Sequence, residues 1–323
     1  MLDILSITGP IYLCIAVGFA CVRWGVFTRE DMRVLGKFVL QIALPALLFH
    51  ALASRPLADV LRPGYLLAYS AGSLGVLAAG LLWTWKVRGR SLTESAYVAM
   101  GMTCSNSGYV GYPMMLLLFG PVGGVILALN LIVENLLKLP LLFALADAGA
   151  HQGDRPAVGQ VLKQTVVRLA RNPMIIGIVL GAVVALSGWK LPATLDRTVT
   201  LFSGGAGGLA LFIIGGNLVG LEVRGMRGQL ALIAAGKLLV HPAAIWLTIL
   251  ALDALGLPSP QGDLRVAAVL SAAMPMIGVY AILAQRHGHE RWAAAALFVT
   301  TTASFASLSG ILWLMRQSAG WLG

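Results

Sequence analysis

The sequence predicts an all-α polytopic membrane protein with about ten transmembrane helices, arranged as two inverted five-helix repeats. Three observations carry this expectation. Hydrophobic residues make up 58% of the 323-residue chain and charged residues only 11%, with a mean hydropathy of +0.85, far more apolar than a soluble domain of this length. Apolar runs long enough to cross a hydrocarbon core about 30 Å thick recur between short charged connectors. The fourth and ninth runs, which correspond if the chain is halved, are each interrupted by Gly and Pro. An odd number of crossings in the first half reverses the second, so the repeat is an inverted one.

In chain order the spans are expected near residues 5–22, 34–54, 64–85, 95–119, 121–146, 172–189, 198–221, 229–252, 264–284 and 292–315. The first run lacks a basic leader and a small-residue cleavage site, so it reads as a mature span and not as a signal peptide. Span two carries Lys37, Gln41 and His50 around Pro45. Lys37 reads as snorkelling to the interface, and His50 as a packing residue. Between spans five and six lies the longest polar connector, Asp147 to Gln160, followed by a stretch with Lys163, Arg168 and Arg171 near one face. That stretch reads either as an interfacial helix or as an extension of span six. The domain expectation is therefore a first repeat over 1–146, a linker with an interfacial helix over 147–171, and a second repeat over 172–323.

Charge sets the orientation. Alternate connectors carry 14 Lys and Arg residues on one side (Arg23 to Arg291) against 6 on the other (Arg55 to Arg316), so the positive-inside rule puts the richer side in the cytoplasm and both termini outside. The net charge of +10 is thereby accounted for by topology without a nucleic-acid partner. Cys14, Cys21 and Cys104 all fall inside spans, and imply neither a disulfide framework nor a metal site. Pairs such as Gly177/Gly181 and Gly216/Gly220, and the run Ser203 to Gly208, are expected to permit close helix packing.

Chemistry is expected at the two breaks. The fourth span contains CSNSGYVGYPMM (Cys104 to Met115) and the ninth MPMIGVY (Met274 to Tyr280). Paired broken spans mark a carrier's binding site, while two ordinary proline kinks are the plainer reading. Half-helices starting near Pro113 and Pro275 would aim free N–H groups and positive dipole ends at the midplane, a ready anion site. Glu134 is the one carboxylate well inside a span, and Asn130, Glu134 and Lys138 are spaced by four along span five. A structural ion pair and an ion-coupling site both fit this spacing. Asn135 lies one position around. Lys237 and His241 form a second strip in span eight beside Pro242, and the excess of cations suits an anionic substrate. Thr300 to Thr302 and Ser304 in span ten are either Na⁺ ligands or a packing seam. No hydrolase, zincin, Walker or dinucleotide motif occurs.

These segments, together with FVLQIALPALLFHALA and AAMPMIGVYAILAQRHG, resemble the auxin efflux carrier family, which includes plant PIN proteins and bacterial carriers of malonate and other organic acids. The resemblance implies a secondary transporter working by elevator movement. Spans 1, 2, 6 and 7 would form a dimerising scaffold and spans 3–5 and 8–10 the transport domain, with spans four and nine crossing at Pro113 and Pro275. It matches Asn106 to the family's Asn ahead of the broken segment, and implies that a substrate carboxylate binds beside the crossing. The candidate substrate site is thus Asn106, Ser107, Gly108, Tyr109, Gly111, Pro113, Pro275, Met276, Ile277 and Gly278, with Asn130, Glu134, Lys138, Lys237 and His241 for coupling or charge compensation. The central loop is too short for a large regulatory cytoplasmic domain, and Glu134 and Lys138 depart from the plant span-five pattern, so auxin specificity and uncoupled transport are not carried over. The function expected is transport of a small organic anion across the cytoplasmic membrane by a homodimer amid lipid, with no cofactor beyond a coupling H⁺ or Na⁺ and no enzymatic activity. A bile-acid-symporter-like Na⁺ carrier and a non-transporting membrane receptor are the alternatives.

Overall fold

The fold was analysed in a computed structural model, which describes residues 2–55, 62–150, 163, 166–167, 169–189, 191–220 and 227–317. Among these the chain is helical and no strand forms. Twelve helices follow one another: α1 (Leu2–Arg23), α2 (Arg29–Ala53), α3 (Pro63–Val87), α4 (Leu92–Thr103), α5 (Ser107–Phe119), α6 (Val122–Ala150), α7 (Pro173–Ser187), α8 (Ala193–Asn217), α9 (Gly228–Ala254), α10 (Asp263–Ala273), α11 (Tyr280–Gln285) and α12 (Glu290–Gln317). Six of them, α2, α3, α6, α8, α9 and α12, are long and apolar enough to cross a membrane, and α5, α7 and Gly9–Arg23 within α1 are shorter apolar helices. The fourth and ninth expected spans are each split, into α4 and α5 and into α10 and α11. Most of the expected interfacial helix lies outside the described residues.

Helix starts follow from side-chain chemistry. Thr28 and Asp31 form a reciprocal capping box at α2, with Thr28 N–H donating to Asp31 Oδ2 at 2.7 Å, which starts that helix earlier than the apolar run suggests. Ser91 accepts from Glu94 N–H at α4, and Asn172 from Met174 N–H at α7, where Pro173 occupies the first turn.

Proline shapes the interior of four helices in one way. Wider π-helical turns occupy Val39–Ala43, Trp83–Val87, Ser107–Gly111, Glu134–Lys138 and Gly236–Val240; all but Trp83–Val87, which ends α3, stop two residues before a proline: Pro45, Pro113, Pro140 and Pro242. Proline has no N–H and its ring crowds the carbonyl one turn back, so the turn before it opens instead of breaking. Glu134, Lys138 and Lys237 all sit in these opened turns.

The chain packs as two compact units. One holds the described residues of Met1–Arg62, Ser107–Leu129 and Arg168–Gly220. Within it α1 and α8 touch backbone to backbone: a Cβ on Gly18 would lie 1.9 Å from Phe212 O, and one on Gly215 would lie 1.9 Å from Ile15 O. Gly177 and Gly181 similarly lie against the Pro45 and Phe49 carbonyls of α2. The packing expectation fails for most of Ser203 to Gly208. Gly204, Gly205 and Gly208 have open space where a Cβ would be, and Gly205 interrupts α8, so the run serves as a helix break.

The other unit holds the described residues of Pro63–Asn106, Asn130–Val167 and Leu221–Gly323. Its core includes Tyr97, Met100, Leu142, Ile233, Tyr280 and Trp292. Tyr280 Oη donates to Tyr97 O at 2.7 Å, Thr93 Oγ1 donates to Ala146 O at 2.8 Å, and Gly72 lets α3 approach Ile245 of α9.

Candidate functional site: the paired helix breaks

The two breaks meet in the second unit. Helix α4 stops at Thr103 and the chain turns extended at Cys104, while α10 stops at Ala273 and stays non-helical through Val279. Ser105 and Met276 then pair as an isolated antiparallel bridge. Asn106 N–H donates to Pro275 O at 2.8 Å, and Ile277 N–H donates to Cys104 O at 3.0 Å. Each break thereby satisfies backbone groups that the other frees, the requirement for irregular backbone at membrane depth.

The crossing differs from the expected one. It is built from Cys104–Asn106 and Pro275–Ile277, whereas Pro113 lies seven residues beyond Asn106 inside α5. The half-helices start at Ser107 and Tyr280, not at Pro113 and Pro275. The reason is local: Pro113 follows the opened turn Ser107–Gly111, which accommodates the proline without breaking the helix, whereas Pro275 lies in the extended segment and deprives it of an N–H.

Around the crossing sits a buried polar network. Ser105 N–H donates to Glu134 Oε1 at 3.0 Å, and Glu134 lies 3.6 Å from Lys138 Nζ. Lys138 Nζ donates to Thr103 O at 2.8 Å and lies 4.9 Å over the Tyr69 ring. Lys237 Nζ donates to Ala272 O at 2.6 Å and to Ser105 Oγ at 2.8 Å, and lies 3.1 Å from His241 Nδ1. The other ring nitrogen, Nε2, lies 2.9 Å from Ser73 Oγ; with Lys237 as an ammonium, Nδ1 is the acceptor and Nε2 the donor. Asn130 accepts from Tyr65 Oη at 2.7 Å and donates to Ser271 Oγ at 2.9 Å. Lys138, Lys237 and His241 have no exposed surface, and Asn130 and Glu134 are 2% exposed.

Glu134, Lys138, Lys237 and His241 are thus joined through Ser105 into one network, Asn130 bonds separately with Tyr65 and Ser271, and Asn106 is buried. Asn135 donates back to Leu131 O of its own helix at 3.0 Å. Ser107, Gly108, Tyr109 and Gly111 form the opened first turn of α5 and belong to the first unit, where Tyr109 Oη donates to Gly36 O at 3.2 Å. Gly278 follows the bridge in the non-helical segment. In α12, Thr300 Oγ1 donates to Ala296 O and Ser304 Oγ to Thr301 O, so both hydroxyls serve their own helix. His50 lies 3.4 Å from Asp196 in the first unit. Lys37 and Gln41 are exposed.

Ser105, Tyr65, Tyr69, Ser73 and Ser271 were not expected from the sequence. A signal existed for three of them: Tyr65, Tyr69 and Ser73 are spaced by four along α3, a polar stripe like that of span five. Ser105 precedes Asn106 in the quoted break, but only the pairing with Met276 reveals its place at the centre. Among the described residues no group of three or more His, Cys, Asp or Glu side chains is arranged to hold a metal, and the three cysteines are free thiols.

Comparison with known proteins places the chain among membrane transport proteins. The pattern of the family described as "Membrane transport protein" matches residues 7–314. The chain is similar to a Rhizobium meliloti protein named "Putative malonate transporter", 27% identical over 99% of this chain and 98% of that one. It is similar to the Escherichia coli protein named "Uncharacterized transporter YfdV", 24% identical over 74% of this chain and 76% of that one. It also resembles "Auxin efflux carrier component 2" of Arabidopsis thaliana, 27% identical over 46% of this chain and 23% of that protein.

Proposed function

Because this chain belongs to the auxin efflux carrier family of membrane transport proteins, we propose that it is a secondary carrier of a small organic anion. The observation that carries this reading is the charge at the crossing. Lys138 and Lys237 are fully buried beside a single carboxylate, Glu134, giving the network a formal charge of one positive unit. In a low-dielectric interior such an excess favours an anion far more than it would in water. A carboxylate taken up beside Asn106 and the crossing would offset that charge. The likeness to a protein named for malonate makes short dicarboxylates the first substrates to try.

Glu134 is the coupling residue in this proposal. It accepts the Ser105 N–H at the bridge and faces Lys138, so binding a proton or Na⁺ there would change how the break is held. Movement would be of the elevator type, with spans 3–5 and 8–10 travelling against a dimeric scaffold of spans 1, 2, 6 and 7, in a cytoplasmic membrane with both termini outside.

Uptake of malonate and other carboxylates into proteoliposomes, with imposed H⁺ or Na⁺ gradients, tests the reading. Wild type is expected to respond to one gradient and Glu134→Gln to neither. Gradient-driven uptake fully retained in Glu134→Gln would remove the coupling role, and the absence of flux with any acid would remove the carrier reading.

A further inference from the structure

The first unit contains a second charged site that the network at the breaks does not use. A cavity of about 470 Å³ is lined by Leu47, His50, Arg55, Tyr112 and Ser203, among others. A second cavity, of about 600 Å³, is lined by Trp189 and Asp196 and shares Ser54 and Arg55 with the first. His50 lines one cavity and Asp196 the other, and the two side chains meet at 3.4 Å, Nδ1 to Oδ1.

That contact is a loose one. Nδ1 of His50 is shielded from solvent yet makes no hydrogen bond of acceptable geometry, while the Asp196 side chain is 46% exposed. A buried polar atom without a hydrogen bond is costly, and a half-exposed ion pair contributes little. Arg55 lines both cavities, and a guanidinium, with its fork of donors, is the side chain best suited to pair with a carboxylate. Ser54 and Tyr112 add hydroxyls to the lining, and Leu47 and Leu116 supply apolar side chains.

We propose that this is an organic-anion receiving site in which Asp196 is an internal stand-in for the ligand's carboxylate. An incoming carboxylate displaces Asp196 from His50 Nδ1, pairs with Arg55 and rests its carbon skeleton on the leucines, while Asp196 turns to the second cavity. The ligand class is a compact mono- or dicarboxylate, as the cavity volume allows. The assignment rests on the carrier reading for its biological sense, but the binding step stands independently of flux.

The test is binding of malonate, acetate and indole-3-acetate to the purified full chain in detergent, read by ligand-induced thermal shift and by calorimetry. Removing the internal competitor with Asp196→Asn is expected to tighten the best acid about fivefold, and Arg55→Gln to weaken it at least about tenfold. A gain of affinity cannot come from misfolding, so Asp196→Asn keeps the test decisive if Arg55→Gln proves unstable. Unchanged or weaker binding in Asp196→Asn overturns the proposal, as does failure of every acid to bind any variant. Arg55- and Asp196-dependent binding without flux in proteoliposomes upholds the site and removes the carrier reading. Flux with affinity indifferent to both residues does the reverse.

Discussion

Lys138 Nζ donates to Thr103 O at 2.8 Å, placing an ammonium on the carbonyl end of α4 where that helix stops. Lys237 does the same for α10 through Ala272 O at 2.6 Å. The last carbonyls of a helix lack intrahelical partners and carry the negative end of its dipole. Both breaks are therefore closed by a cation reaching in from an opened turn that lies just before a proline in a neighbouring helix.

Removing one charge of the pair in α6 should expose this dependence. Lys138→Met leaves Glu134 buried without its cation and is expected to cost roughly 3–5 kcal/mol, the range for breaking a buried pair. The double variant Glu134→Gln/Lys138→Met should lose less than the sum of the two single losses. Thermal unfolding in detergent measures all three, and strictly additive losses would show that the two residues are not energetically coupled.

Ser105 is expected to matter more than its size suggests. Its hydroxyl accepts from Lys237 at 2.8 Å and lies 3.3 Å from Tyr69 Oη. Ser105→Ala should destabilise the protein by about 1–3 kcal/mol, because a buried donor loses its acceptor. Tyr69→Phe, which removes the other partner, should be milder. A melting temperature for Ser105→Ala equal to wild type would argue against this role.

The backbone contact of α1 with α8 gives a prediction in the first unit. Gly18→Ala and Gly215→Ala each put a methyl group 1.9 Å from a carbonyl oxygen, and are expected to cost at least about 1–3 kcal/mol as the helices move apart. Gly9→Ala meets nothing within 4 Å and should be neutral or raise stability by up to about 1 kcal/mol through helix propensity. Comparable losses at all three positions would refute the packing argument.

Pro140 should control the placement of Glu134. In Pro140→Ala the opened turn Glu134–Lys138 can return to regular helical bonding, which turns the preceding residues by roughly 100° per residue removed from the turn. Glu134 would swing off Ser105, so carboxylate uptake should fall well below what the change in melting temperature explains. Wild-type uptake in Pro140→Ala would mean that the turn is held by the ion pair and not by the proline.

Much of the site was legible because polar residues inside apolar runs are few and helical spacing groups them. Asn130, Glu134 and Lys138 align on one face, as do Lys237 and His241, and the structure joins both strips. The breaks were legible from Gly and Pro. Their register was not: Pro113 looked like a breaking point and instead follows an opened turn, while the actual stop falls at Thr103, where no helix breaker stands. Ser203 to Gly208 misled in the other direction, since small residues serve close packing and helix interruption equally well.

The sequence by itself determined the all-helical, strongly apolar character of the chain, the two interrupted runs and the residues available for charge chemistry, because hydropathy, proline geometry and periodicity are local properties. Tertiary structure alone decided that Ser105 pairs with Met276, that each break completes the other's hydrogen bonding, and that Lys138 and Lys237 close the two helix ends. The bridge contacts join residues far apart in the chain, and the two lysine contacts link separate helices through single atoms. They form because backbone groups freed at membrane depth have no water to turn to and must find partners within the protein.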